Sequence, residues 1–163
     1  MTRPQSARDR DVAGRPRNAR PRDALGRPLP RDASGHPQLP DQQNLAPDAA
    51  LDLAQQLIDS GRAFSAHEVL EASWKAAPAA ERELWQGLAQ LAVGLTHVQR
   101  GNARGAAALL RRGGQRVAGY AGSPPHGIDA AQLASWADTL AGAIERDGLD
   151  QLTPAALRLS LRR

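Results

Sequence analysis

The stretch at residues 81–100, ERELWQGLAQLAVGLTHVQR, most narrows what this chain can fold into. Leu84, Leu88, Leu91 and Leu95 recur at helical spacing and form one apolar stripe. At 100° per residue Gln86, Gln90, Val93 and His97 gather on the opposite side, with Ala89, Ala92 and Gly94 between them. A helix with so little charge over its middle turns must be covered on most sides, which makes it the central helix of its domain. The chain holds three Trp but only one Phe and one Tyr, so Ala and Leu must fill the core. That composition favours closely packed helices over a sheet. The expected fold is all-α: a compact bundle of about five helices built from stacked helical hairpins, occupying residues 47–163 as a single domain.

Local signals divide the rest of that domain. Pro47 and Asp48 suit a first helical turn, and Gly61 suits the position just past a helix that runs over 47–60. A second helix is expected from Ser65, with Ser65 and Glu68 as a capping box and Phe64 and Val69 as its hydrophobic staple. Pro78 ends it. The central helix, about 79–100, stops at Gly101, and Asn102 opens a fourth helix that Gly113 and Gly114 weaken or end. A loop containing SPPHG leads to Asp129, the N-cap of a helix over about 130–147. A short last helix is expected after Thr153 and Pro154. Gly61, Ala63, Ala66, Val69 and Leu70 align at an offset of 40 with Gly101, Ala103, Ala106, Leu109 and Leu110, as two stacked hairpins would.

Residues 1–46 are of another kind. They carry seven of the twelve prolines and few large apolar side chains, so the segment is expected to be disordered or extended. Within it ALGRPLPRD and ASGHPQLPD form a degenerate nine-residue repeat. Nine Arg and four Asp in residues 1–40 give +5, which leaves −1 for the remainder of a chain whose net charge is +4. The basicity belongs to the tail and suits an acidic partner. Nucleic acid is the weaker candidate, because the tail has no aromatic side chain for stacking. There is no cysteine, which removes disulfides and thiolate metal sites. No apolar run reaches the roughly 18 residues of a membrane span, and no apolar segment follows the Arg-rich start, so a cytoplasmic protein is expected.

The chemistry-bearing residues lie in FSAHEVLEASWK, residues 64–75. His67, Glu71 and Trp74 stand at i, i+4 and i+7 on one helix face. Imidazole and carboxylate at that spacing either coordinate a divalent metal ion or form a polar pair that fixes packing in a bundle. Two protein ligands are too few for a metal, and His97 is the candidate third. Trp74, Gln86 and Gln90 are the candidate ligand contacts. Convergence of His67, Glu71 and His97 favours a site; scatter favours a scaffold. HEVLE is not the H-E-x-x-H zinc-protease motif, because Glu71 stands where the second histidine belongs. No reaction can be named from these residues.

At these residues the chain resembles domain-of-unknown-function family 309, a bacterial and archaeal family. Its H-x-x-x-E-x-x-W/Y motif is matched by His67, Glu71 and Trp74, and its Q-G-L-x-Q pattern and later histidine by Gln86, Gly87, Leu88, Gln90 and His97. The similarity covers about residues 50–112. The resemblance implies an all-helical fold and metal binding at the motif, and implies no activity. Two functions follow: a helical domain with a polar, metal-binding site between its second and third helices, or a non-enzymatic, helical-repeat-like interaction module.

Overall fold

The computed structural model describes residues 22–23, 25–29, 35 and 45–163. Most of the expected disordered or extended tail, and all of the second copy of its repeat except Gly35, lie outside these residues. Among the described tail residues, those between 22 and 28 make a tight turn. The Asp23 carboxylate accepts from the amides of Leu25 and Arg27 at 2.9 Å each, Gly26 takes a positive φ of 76°, and Arg22 pairs with Pro28 in an isolated bridge.

Residues 45–163 form five helices: α1 (Pro47–Asp59), α2 (Ala63–Ala76), α3 (Arg82–Gln99), α4 (Ala103–Ala118) and α5 (Ala130–Asp147). Single 3-10 turns at Ala79–Glu81 and Pro125–Gly127 sit in the connections before α3 and α5. Each helix packs on the next, because three- to eleven-residue connections hold neighbours side by side. Leu84, Leu88 and Leu91 are fully buried and Leu95 nearly so, and α3 packs against both α2 and α4, as the central helix should.

The offset-40 similarity is geometric. Gly61 and Gly101 have φ of 76° and 75°, and each closes its preceding helix with paired amide bonds. Gly61 and Arg62 donate to the carbonyls of Ile58 and Leu57; Gly101 and Asn102 donate to those of Val98 and His97. This closure needs a left-handed residue, which glycine supplies without steric cost. It also sets where the following helix begins. At the second hairpin Asn102 caps α4, accepting from the Gly105 amide at 3.0 Å. At the first, the N-cap is Arg62, with no side-chain cap bond. Helix α2 therefore starts two residues before the expected Ser65, whose hydroxyl instead accepts from Arg62 Nη2 at 3.3 Å. The capping box is not formed, because Ser65 already lies inside the first turn.

Two further expectations are corrected. Helix α4 does not end at Gly113 and Gly114, which are buried in its middle. A Cβ on Gly113 would stand 2.8 Å from the Gly87 carbonyl oxygen and 2.9 Å from Leu91, so the glycines permit close approach of α3 and α4. That contact offsets the propensity cost of about 1 kcal/mol per glycine. After Thr153 the chain makes turns and no helix. The Thr153 hydroxyl does accept from the Ala156 amide at 3.2 Å, as a cap would, but Leu159 and Leu161 are buried at alternate positions. Only extended chain turns residues i and i+2 to the same side. The Gln55 amide clamps this segment, donating to the Leu159 carbonyl and accepting from the Leu161 amide at 2.9 Å each. Asp129 caps α5 as expected, accepting from the Gln132 amide at 3.3 Å.

Candidate functional site

The early start of α2 fixes the register of its polar face. His67, Glu71 and Lys75 stack one turn apart. His67 Nε2 lies 3.3 Å from Glu71 Oε2, and Lys75 Nζ lies 2.8 Å from Glu71 Oε1. Exposure rises along the row, from 21% for the His67 side chain to 33% for Glu71 and 68% for Lys75. The Phe64 ring tilts against His67 with centroids 5.7 Å apart, and the Arg100 guanidinium lies 5.6 Å from the Phe64 centroid. His67 Nδ1 is buried and has no hydrogen-bond partner. Burial lowers the His67 pKa below the ordinary 6.5; Lys75 and Arg100 act in the same direction, and together these outweigh the pull of Glu71. The imidazole is therefore neutral at neutral pH.

The 3.3 Å separation is informative. It exceeds the ~2.7–2.9 Å of a charge-assisted hydrogen bond. It is close to the roughly 3.4 Å edge between two donors placed about 2.0–2.1 Å from one tetrahedral ion. The remaining expected residues face other partners. Gln90 Oε1 accepts from Arg116 Nε on α4 at 3.1 Å, and the same guanidinium pairs with Glu83. His97 Nδ1 contacts Asn102 Nδ2 at 3.1 Å, and burial followed by Arg100 lowers its pKa. Gln86 is half-buried on α3, and Trp74 packs partly buried against the core. The structure thus joins His67 to Glu71 and ties Gln90 and His97 to the α4 side. Among the described residues no group of three His, Asp or Glu is placed to hold a metal ion, so His97 does not join His67 and Glu71 in the expected three-ligand set, the outcome that favours a scaffold.

A second imidazole–carboxylate pair had no spacing signal. Glu81 Oε2 accepts from Trp85 Nε1 at 3.1 Å and contacts His126 Nε2 at 2.9 Å. The indole of Trp85 is buried in the core, and its ring centroid lies 6.0 Å from that of His126. Glu81 and His126 are 45 positions apart, so periodicity could not pair them. The one visible sign was a histidine between Pro125 and Gly127 in a loop. An open pocket of about 800 Å³ lies elsewhere, among α1, the end of α3 and the C-terminal segment, lined by Leu51, Ile58, Val98 and Leu157 among others. None of the expected site residues lines it.

Packed helices with a half-buried imidazole–carboxylate face make residues 45–163 an all-α bundle domain, with no named strand among the described residues. Residues 51–109 match the model of a family described as Domain of unknown function (DUF309), in agreement with the resemblance carried by the H-x-x-x-E-x-x-W motif. The match runs from within α1 to the first half of α4 and leaves α5 and the C-terminal segment outside. No curated protein and no solved structure matches the chain. No helix among the described residues is long and apolar enough to cross a membrane.

Proposed function

We propose that the domain binds a divalent cation on the polar face of α2, with His67 Nε2 and the Glu71 carboxylate as its protein donors. The observation that carries this reading is the 3.3 Å approach of a neutral, half-buried imidazole to a carboxylate that it meets too loosely for a strong hydrogen bond. Two protein donors leave coordination positions for water or a ligand, and a bound cation would polarise an oxygen held there. Trp74 and Gln86 would contact that ligand, whereas Gln90 and His97 would reach it only by leaving Arg116 and Asn102. Lys75 competes with the cation for Glu71 and must be displaced.

The test is the metal content of the purified full chain and its uptake of added Zn²⁺ and Mn²⁺, measured beside His67→Ala and Glu71→Ala. The proposal expects stoichiometric uptake by the natural chain and its loss in both variants. If none of the three takes up added metal, the proposal fails.

A second reading draws on the repeated Gly61 and Gly101 hairpins: a non-enzymatic interaction module whose Arg-rich tail attracts an acidic partner. Polyglutamate serves as the anionic probe. Deletion of residues 1–46 should then sharply weaken its binding, and unchanged binding would remove the tail from that reading.

A further inference from the structure

His67 and His126 each lie beside a carboxylate and differ at the second ring nitrogen, Nδ1. His67 Nδ1 is sealed inside the protein. The His126 side chain is 24% exposed. Its other nitrogen is committed: Nε2 sits 2.9 Å from Glu81 Oε2. Burial opposes ionisation of Glu81, but hydrogen bonds from His126 and Trp85 outweigh it and hold the carboxyl below its ordinary value. An ionised carboxylate only accepts, so in the neutral form of the ring Nε2 carries the hydrogen and the lone pair is on Nδ1.

The surroundings hold this arrangement from several sides. Trp85 Nε1 fixes the carboxylate from the core, and the Trp85 ring lies against the imidazole. The Tyr120 hydroxyl donates to the Ala80 carbonyl at 2.7 Å, pinning the α4–α5 connection one residue away from Glu81. His126 itself has φ of 58°, and no other non-glycine among the described residues has a positive φ. Such a conformation persists where surrounding contacts over-determine it, and it clusters at functional sites.

We propose that Glu81 and His126 form a second site, in which His126 Nδ1 accepts a proton from a hydroxyl or water of a ligand bound at the α4–α5 connection. In that step the ligand O–H bond breaks, an Nδ1–H bond forms and the electron pair stays on oxygen. The resulting imidazolium keeps its Nε2–H directed at the Glu81 carboxylate, which stabilises it. Glu81 is the positioning residue, and Trp85 positions Glu81. This is the arrangement that general-base catalysis needs on the enzyme side.

The test uses the full chain and diethyl pyrocarbonate, which acylates an accessible neutral imidazole nitrogen, with modification read at each histidine by peptide mass spectrometry. His126 should react faster than His67. Glu81→Gln, which keeps the shape and removes the charge, should slow His126 by about tenfold or more while leaving His97 unchanged, the scale on which an orienting partner acts. Exposure alone would not produce that dependence. Long-range proton–nitrogen NMR of the unsubstituted chain should show His126 as the Nε2–H tautomer, a readout independent of any variant. Equal rates at His126 and His67, an unchanged rate in Glu81→Gln, or the Nδ1–H tautomer would each overturn the proposal.

Discussion

On α2, His67 meets Glu71 across one helical turn; beside the start of α3, Glu81 meets His126 across 45 residues. The groups are the same and the settings differ. The α2 pair is separated by 3.3 Å, its carboxylate is shared with an exposed lysine, and its inner nitrogen is sealed. The Glu81 pair is separated by 2.9 Å, and its carboxylate is fixed by a buried indole. The two proposals follow this difference: a cation for the looser pair set by helical spacing, proton transfer for the closer pair assembled by tertiary contacts.

The largest expected effect separates the tryptophans attached to the two pairs. Trp85→Phe removes a donor to a charged acceptor and should destabilise the domain by about 1.5–3 kcal/mol in urea denaturation. Trp74→Phe removes no such bond and should stay within about 0.5 kcal/mol. Equal losses would break the contrast. Next, His126→Gly and His126→Ala both delete the Glu81 contact, but only Ala retains a Cβ in the left-handed region. The glycine variant should be the more stable by about 1 kcal/mol.

Acid should distinguish the pairs by where each fails. His67 has its folded pKa below 6.5, so as pH falls past that value the unfolded chain takes up a proton that the folded chain refuses. Stability from this group is intact above about 6.5 and declines below it. Glu81 is also depressed, but from 4.5, so its contribution persists to about that pH and is lost as pH falls through its folded value. His67→Gln should flatten the stability profile just below about pH 6.5, and Glu81→Gln should flatten only the more acid limb below about 4.5. His97 is depressed too, and the double variant with His97→Gln sorts its share of the upper window. The smallest effect on stability is expected from Lys75→Ala. Its exposed ion pair should contribute at most about 0.5 kcal/mol, yet the variant should take up metal more tightly because Glu71 loses its competitor.

Much of the fold was legible from local chemistry. The leucine stripe of α3, the turns at Gly61 and Gly101 and the caps at Asn102 and Asp129 each depend on residues within a few positions of one another. The errors have two origins, one local and one in packing. Ser65 and Glu68 had the pattern of a capping box, but the closure at Gly61 had already started the helix. Gly113 and Gly114 were read by propensity, and packing against Gly87, Leu91 and Ala137 overrode it. Thr153 began a turn that burial of Leu159 and Leu161 kept from becoming a helix.

The candidate sites divide in the same way. His67 and Glu71 were legible because 3.6-residue periodicity brings i and i+4 together in any helix. The orientation of Gln90 and His97 toward α4 was not, because it depends on Arg116 and Asn102 reaching them from the neighbouring helix and its cap. The sequence by itself determined the helices, their order and the face that carries the motif, since those follow from interactions within one or two turns. Only the tertiary structure decided how closely α3 and α4 approach, which imidazole nitrogen is sealed, and that Glu81 and His126 meet at all. Those outcomes depend on packing between segments whose separation in sequence carries no periodic signal.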